Sequence, residues 1–178
     1  MRIISGDRKG HRIAAPKGDK TRPTSDFVRE NAFNLIGPVD DADVLDLFAG
    51  SGAMGLEALS RGAAHATFVE SDREACRTIN RNVDKLRLDN ATVLCQDALT
   101  ALRNDARAGT RYDLVLLDPP YRRFSSLQNA MISHLPEILA PGGTLLVETA
   151  ANEEPELPLP KRTTRRYGAA RLTLFDAE

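Results

Sequence analysis

Two short runs of this chain hold residues whose types and spacing could do chemistry. Gly50-Ser51-Gly52-Ala53-Met54-Gly55 follows the apolar run Val44–Phe48. It has the G-x-G-x-x-G spacing of a strand-to-helix turn, where glycines let the backbone bend tightly and approach a ligand. Asp118-Pro119-Pro120-Tyr121 follows the apolar run Tyr112–Leu117. A carboxylate, a carbonyl held in a rigid proline turn and an aromatic ring suit one task together. An amino group conjugated to an aromatic base is a poor nucleophile, because its lone pair is delocalised into the ring. Two acceptors for its N–H protons, the Asp118 carboxylate and the Pro119 carbonyl, would favour charge building on that nitrogen. Tyr121 can stack on the face of an unpaired base. The plainer alternatives are a tight turn without a ligand and a proline turn that ends a strand.

Acidic residues mark two further strand ends. Glu70 lies 20 residues after Gly50 and can accept the protons of both hydroxyls of a ribose. Asp97 follows Thr92–Cys95 and could reach a base, or could only cap the next helix. His11, His65 and His134 share no spacing with Cys, Asp or Glu that would hold a metal, so no metal is expected. Ser51 lacks the G-x-S-x-G context of a nucleophile. Cys76 and Cys95 are read as reduced thiols of a cytosolic protein.

These residues need a frame to bring them together. Residues 2–5 and 11–15 read as a β-hairpin with a basic tip, and residues 16–23 as a linker. A helix capped by Thr24 or Ser25 runs from Asp26 to about Ile36. Phe27, Ala32 or Phe33, Leu35 and Ile36 are expected to face the core there, with Arg29 and Glu30 toward solvent or a ligand. From Val44 the pattern alternates strand and helix: strands at 44–48, 66–69, 92–95, 112–117 and 144–148, with a helix over 125–139 before the last. Such β-α units imply an α/β fold with a mostly parallel sheet and helices on both faces. Residues 150–160 are too polar and proline-rich for a long helix, and 162–167 with 170–175 form an antiparallel hairpin at the sheet edge. In an open parallel sheet, ligands bind outside the carboxyl ends of the strands where the strand order reverses. The expected division is a basic N-terminal hairpin and linker over 1–25, then a single globular domain over 26–178.

The chain has 178 residues, 42% hydrophobic and 28% charged, which suits one well-buried domain. It has no apolar run of membrane-spanning length and no signal-peptide pattern at its start, so a cytoplasmic location is expected. The net charge of −1 hides an uneven distribution. Residues 1–25 carry a net +5, residues 161–171 another +5, and the remainder −11. Basic ends on an acidic middle suit a polyanion touching part of the surface, or simply a solvated charged surface.

The motifs FAGSG, VESD, QDA and DPPY, in this order, resemble the Class I S-adenosylmethionine-dependent methyltransferases that modify exocyclic amino groups. The front of the chain narrows the resemblance. Arg2-Ile3-Ile4-Ser5-Gly6, Gly10-His11-Arg12, Arg22-Pro23-Thr24, then Asp26, Val28-Arg29-Glu30 and Phe33-Asn34 are similar to the bacterial 16S rRNA guanine-N2 methyltransferase family that modifies guanine 966. Leu56-Glu57-Ala58-Leu59-Ser60-Arg61-Gly62 continues the match. The resemblance implies a Rossmann-like, seven-stranded sheet with an antiparallel C-terminal edge hairpin. It implies S-adenosylmethionine as cofactor, held by Asp46, Gly50 and Gly52 at the methionine part, Glu70 and Ser71 at the ribose, and Asp97 and Ala98 at the adenine. Asp118, Pro119, Pro120 and Tyr121 would hold the target guanine. Arg2, Arg8, Lys9, Arg12, Arg22 and Arg29 would meet RNA. The expected partner is 16S rRNA, within the small ribosomal subunit or an assembly intermediate, and the chain is expected to act as a monomer without membrane or metal. Phe27 departs from the family, which commonly has a basic residue there, and the tail after Glu148 matches loosely. The rival readings are a DNA adenine-N6 methyltransferase, a protein-glutamine methyltransferase and a non-catalytic RNA-binding protein on the same fold.

Overall fold

The computed structural model describes residues 1–16, 25–120 and 124–178. The linker from residue 17, Arg22, Thr24 and Tyr121 lie outside the described residues. Among the described residues thirteen elements follow one another. They are α1 (Asp26–Ile36), β1 (Asp43–Leu47), α2 (Ala53–Ser60), β2 (His65–Glu70), α3 (Arg73–Leu86), β3 (Ala91–Cys95), α4 (Ala98–Ala108), β4 (Tyr112–Leu117), α5 (Phe124–Ile132), α6 (Leu135–Ile138), β5 (Leu139–Ala150), β6 (Lys161–Tyr167) and β7 (Ala170–Asp176).

The seven strands form one sheet in the order β3-β2-β1-β4-β5-β7-β6. The first five run parallel, and β7 and β6 add antiparallel at the edge. This is the fold the motifs imply. The strand order reverses between β1 and β4, so their carboxyl ends open onto one crevice. The central strands β1 and β4 are buried on both faces, which explains their nearly continuous apolar sequences. One core lies under α1 and α2 and includes Phe33, Leu56, Phe68 and Leu174. The other lies under α4, α5 and α6 and includes Leu47, Leu102, Val115 and Leu145. Gly55 lets α2 seat on the sheet, since a β-carbon there would stand 2.4 Å from Phe68 Cε1.

Helix α1 is rotated from its expected orientation. Ser25 caps it by accepting from the Val28 amide at 3.2 Å, as its sequence indicates. Its buried residues are Val28, Arg29, Ala32 and Phe33, while Phe27 stands 61% exposed. Arg29, expected at the surface, has no exposed area. Its guanidinium pairs with Asp26 of its own helix at 3.0 Å, donates to the Arg2 carbonyl, and stands with Nε 3.6 Å from Oε2 of the equally buried Glu57 of α2. A buried carboxylate requires a cation, and that requirement outweighs the apolar preference of Phe27. A second correction concerns residues 125–139. They form two helices, with a break at Ser133-His134 and Pro136 in the first turn of α6. Leu139–Gly143, expected to end a helix, already belong to β5, where the pairing with β4 shifts register between Tyr112 and Leu114.

The N-terminal hairpin is shorter than its sequence suggests. Its arms are closed by a single bridge, Arg2 with Arg12, and by backbone bonds such as Ile3 N–H to the His11 carbonyl at 2.9 Å. Ile3 and Ile13 are buried in the same core as α1. Glu57 accepts from the amides of Ile4 at 2.8 Å and Ser5 at 3.0 Å. The Ser60 hydroxyl accepts from the Arg8 amide at 2.9 Å and donates to the Ser5 carbonyl at 2.6 Å. Gly6, at φ +79°, lies so close that a β-carbon would stand 1.6 Å from the Ser60 carbonyl oxygen.

Candidate active site at the strand ends

The crevice is built from the turn after β1 upward. The turn begins at Phe48, whose φ of +60° breaks the strand, and passes through Gly50 at φ +57°. At Gly50 an added β-carbon would meet only the Phe48 carbonyl, 3.9 Å away, so this backbone faces open space. That is the exposed glycine surface a ligand needs for close approach. Glu70, ending β2, fixes the turn: its Oε2 accepts from the Gly50 amide at 2.9 Å and its Oε1 from the Asp72 amide at 2.9 Å. Each oxygen keeps a second lone-pair site, so ribose hydroxyls can still bind. The sequence separation of Glu70 and Gly50 thus corresponds to a direct contact.

Asp46 lies beneath the turn, 3% exposed, and accepts from the Gly55 amide at 2.8 Å. Burial raises its pKa from 3.8 to about 7, the Gly55 hydrogen bond opposes that rise, and the nearby Glu70 charge adds to it. A cationic group arriving here would find a carboxyl ready to ionise beside it. Ser71 is exposed next to Glu70. Asp97 is the N-cap of α4, accepting from the Thr100 amide at 3.1 Å, and Ala98 is buried behind it. Capping is the contact the structure shows for Asp97. Asp118 is half-buried at the end of β4, with Pro119 buried and Pro120 exposed after it. β1 and β4 are direct neighbours, pairing Leu47 with Leu117, so the glycine turn and Asp118 share one edge of the sheet.

The basic residues of the N-terminal hairpin divide by position. Arg29 is internal, as described, and cannot meet RNA from there. The Arg8 Nε donates to the Leu86 carbonyl at 2.9 Å, at the end of α3, and Lys9 is exposed beside it. The hairpin tip thus sits at the far ends of α2 and α3, about 12 Å of helix from the glycine turn. Arg2 and Arg12 are exposed nearer that turn, with Arg2 Nε 3.6 Å from Asp26.

Asn82, which no motif marks, connects the two parts. It is buried on α3, donates to the carbonyls of Ala14 at 3.0 Å and Ser51 at 3.1 Å, and accepts from the Ala14 amide at 2.8 Å. It holds the N-terminal arm against the glycine turn. Cys76 and Cys95 are free thiols with sulfurs 2.6 Å apart, and Cys76 also donates to the Glu70 carbonyl at 3.3 Å. Burial, then the neighbouring Cys95 thiol, pushes the Cys76 pKa up to about 12. Among the described residues no group of His, Cys, Asp and Glu could hold a metal ion. No helix among them is long and apolar enough to cross a membrane.

Residues 1–176 match the model of the family described as conserved hypothetical protein 95. The chain belongs to this family. Among its relatives, the ribosomal RNA small subunit methyltransferase D of Escherichia coli strain K12 is 46% identical over 124 residues. That alignment covers 69% of this chain and 61% of the relative. The Haemophilus influenzae protein of the same name is 36% identical over 154 residues, covering 84% of this chain and 78% of its own. A solved Escherichia coli structure titled as a methyltransferase superposes with a TM-score of 0.88 at 38% identity, covering 100% of this chain and 98% of that one. The family resemblance read from FAGSG, DPPY and the N-terminal segment is borne out, and with it the Class I methyltransferase fold.

Proposed function

We propose that this member of the conserved hypothetical protein 95 family is an rRNA methyltransferase. It moves the methyl group of S-adenosylmethionine to N2 of one guanine, guanine 966, of 16S rRNA. The observation that supports this best is the adjacency of two strand ends. The Glu70-fixed glycine turn lies beside Asp118-Pro119-Pro120 at the point where the sheet order reverses. The names of the relatives point the same way.

S-adenosylmethionine supplies an electrophilic sulfonium methyl when bound. The residues present fit it: Gly50 offers open backbone, Glu70 offers lone pairs for the ribose, and Asp46 offers a carboxyl for the methionine ammonium. Ser71 and Ala98 line the same edge. The guanine is substrate and must leave its stack to reach a strand end. The Asp118 carboxylate and Pro119 carbonyl would accept hydrogen bonds from the N2 amino group as the nitrogen gains positive charge; the sulfonium would leave as a neutral thioether, and one N2 proton would pass by way of Asp118 to solvent. Tyr121 stacks on the turned-out base in this reading. No covalent enzyme intermediate is needed, so positioning carries most of the rate. The work is done in the cytoplasm, on the small subunit or its assembly intermediates, by a monomer that needs no metal.

The test is methyl transfer from labelled S-adenosylmethionine to small subunits that lack the modification. The expected product is N2-methylguanosine at one position. Label on adenine of DNA, or none on RNA, would overturn the proposal. Asp118→Ala should lower turnover by about two to three orders of magnitude at saturating cofactor.

A further inference from the structure

The sheet edge that carries the candidate site also carries an aromatic pair that the proposed reaction does not use. Phe27 is the one exposed large hydrophobic side chain among the described residues. Its ring meets Tyr167 edge-on, with centroids 6.0 Å apart and planes at 77°. Tyr167 ends β6 and pairs with Ala170, which in turn pairs with Ala150 at the end of β5. The pair therefore stands at the carboxyl edge of the parallel strands. Three strand spacings separate it from β4 and Asp118, roughly 15 Å.

Charge accompanies the rings. Arg165 lies two residues before Tyr167 and so on the same face of β6. Its cross-strand partner Leu172 belongs to the core beneath α1, which places that face toward Phe27. Lys161 and Arg171 pair with Glu154, and Arg162 with Asp176. Arg165 has no carboxylate partner among the described residues, and its guanidinium donates to the Thr164 carbonyl. Two carboxylates thus serve three of the cluster's five cations, and Arg165 and Arg166 have no ion pair among the described residues, Arg165 lying on the face of the aromatic pair.

We propose that Phe27, Tyr167 and Arg165 form a stacking platform for an unpaired base near the target nucleotide of the RNA substrate. The proposal rests on the reading that the substrate is RNA. An aromatic face accepts any base, and an arginine beside it suits a phosphate oxygen. A protein partner is disfavoured, because a stable interface buries about 800 Å² per side and one exposed phenylalanine supplies a small part of that.

The chain contains no tryptophan, so Phe27→Trp places a single reporter on the platform. Titration with a 16S rRNA transcript should quench its fluorescence saturably, and Arg165→Ala in that background should weaken the quenching. In methyl transfer, Phe27→Ala and Tyr167→Ala should each raise KM for rRNA about 10-fold. Their kcat and their affinity for S-adenosylmethionine should stay unchanged, and Phe27→Trp should restore KM. An unquenched tryptophan, or an unchanged KM in both alanine variants, overturns the platform. A KM change seen with assembled subunits but absent with naked rRNA also overturns it, since the surface would then meet a ribosomal protein. Quenching by RNA without any methyl transfer by the parent protein would leave the platform standing and remove the proposed reaction instead.

Discussion

At the scale of single residues, the buried carboxyl of Asp46 has a measurable signature. Its folded pKa, about 7, lies above the ordinary 3.8. The folded state therefore binds its proton more tightly than the unfolded state between those values. Stability from this group is fully present below about pH 4 and is lost as pH rises through 7. Asp46→Asn keeps an acceptor for the Gly55 amide but cannot ionise. Urea midpoints should show the variant gaining on the parent from about pH 4 to pH 7 and the gap levelling off above that, while its affinity for S-adenosylmethionine falls. A gap that stays constant with pH would mean that Asp46 titrates normally. Glu70 holds the Gly50 amide and, in the proposed reading, would also receive the ribose. Glu70→Ala should weaken cofactor binding by roughly 1–3 kcal/mol in calorimetry. Unchanged affinity would remove Glu70 from the site.

At the scale of elements, the sequence was informative where a residue type answers a local need. Glycines after β1, a carboxylate ending β2 and prolines after β4 are such cases, and the sheet order follows from β-α alternation. It was uninformative where the partner is distant. Within α1 only the i,i+3 pairing of Asp26 with Arg29 bears on the turn of Arg29 inward and Phe27 outward, and the buried acid that Arg29 also meets, Glu57, lies in another helix. Asn82 is similar: an asparagine in mid-helix has no motif, and its value comes from the backbone of Ala14 and Ser51. Asp97 is a carboxylate at a strand end with two readings, of which the capping contact with Thr100 is visible. The Arg29–Glu57 pair makes an ordered prediction. Arg29→Met leaves Glu57 with Arg61, 2.9 Å away, and with two backbone amides. Glu57→Ala instead leaves the buried guanidinium with only the half-exposed Asp26, 3.0 Å away, and the amides of Ile4 and Ser5 without their acceptor. Chemical denaturation should show the Glu57 variant losing about 3–5 kcal/mol and the Arg29 variant less. The reverse order would show that the amides of the N-terminal arm are not held by Glu57. Gly6→Ala, forced onto the Ser60 carbonyl, should free residues 1–16 for limited proteolysis while the sheet stays folded.

At the scale of the whole molecule, the two basic segments are unequal. Three of the five C-terminal cations share two carboxylates within the protein, and the hairpin tip lies away from the crevice. Removing Arg8, Lys9 and Arg12 together should therefore test long-range attraction for RNA rather than placement at the site. If they meet phosphates, the log–log salt dependence of rRNA affinity should flatten by about 0.7–0.9 per lost contact, with cofactor affinity unchanged. An unchanged slope would make them solubility residues only. The way the hairpin is moored also bears on how the chain is made. Ser5 and Arg8 find their anchors in Glu57 and Ser60, 52 positions later. At about 5–20 residues per second, a translating ribosome needs on the order of 3–10 s to supply those anchors. Throughout that interval the arm has nothing to dock on. The segment synthesised early is thus among the later ones to find its place, and a nascent chain halted before α2 should leave it fully open to protease.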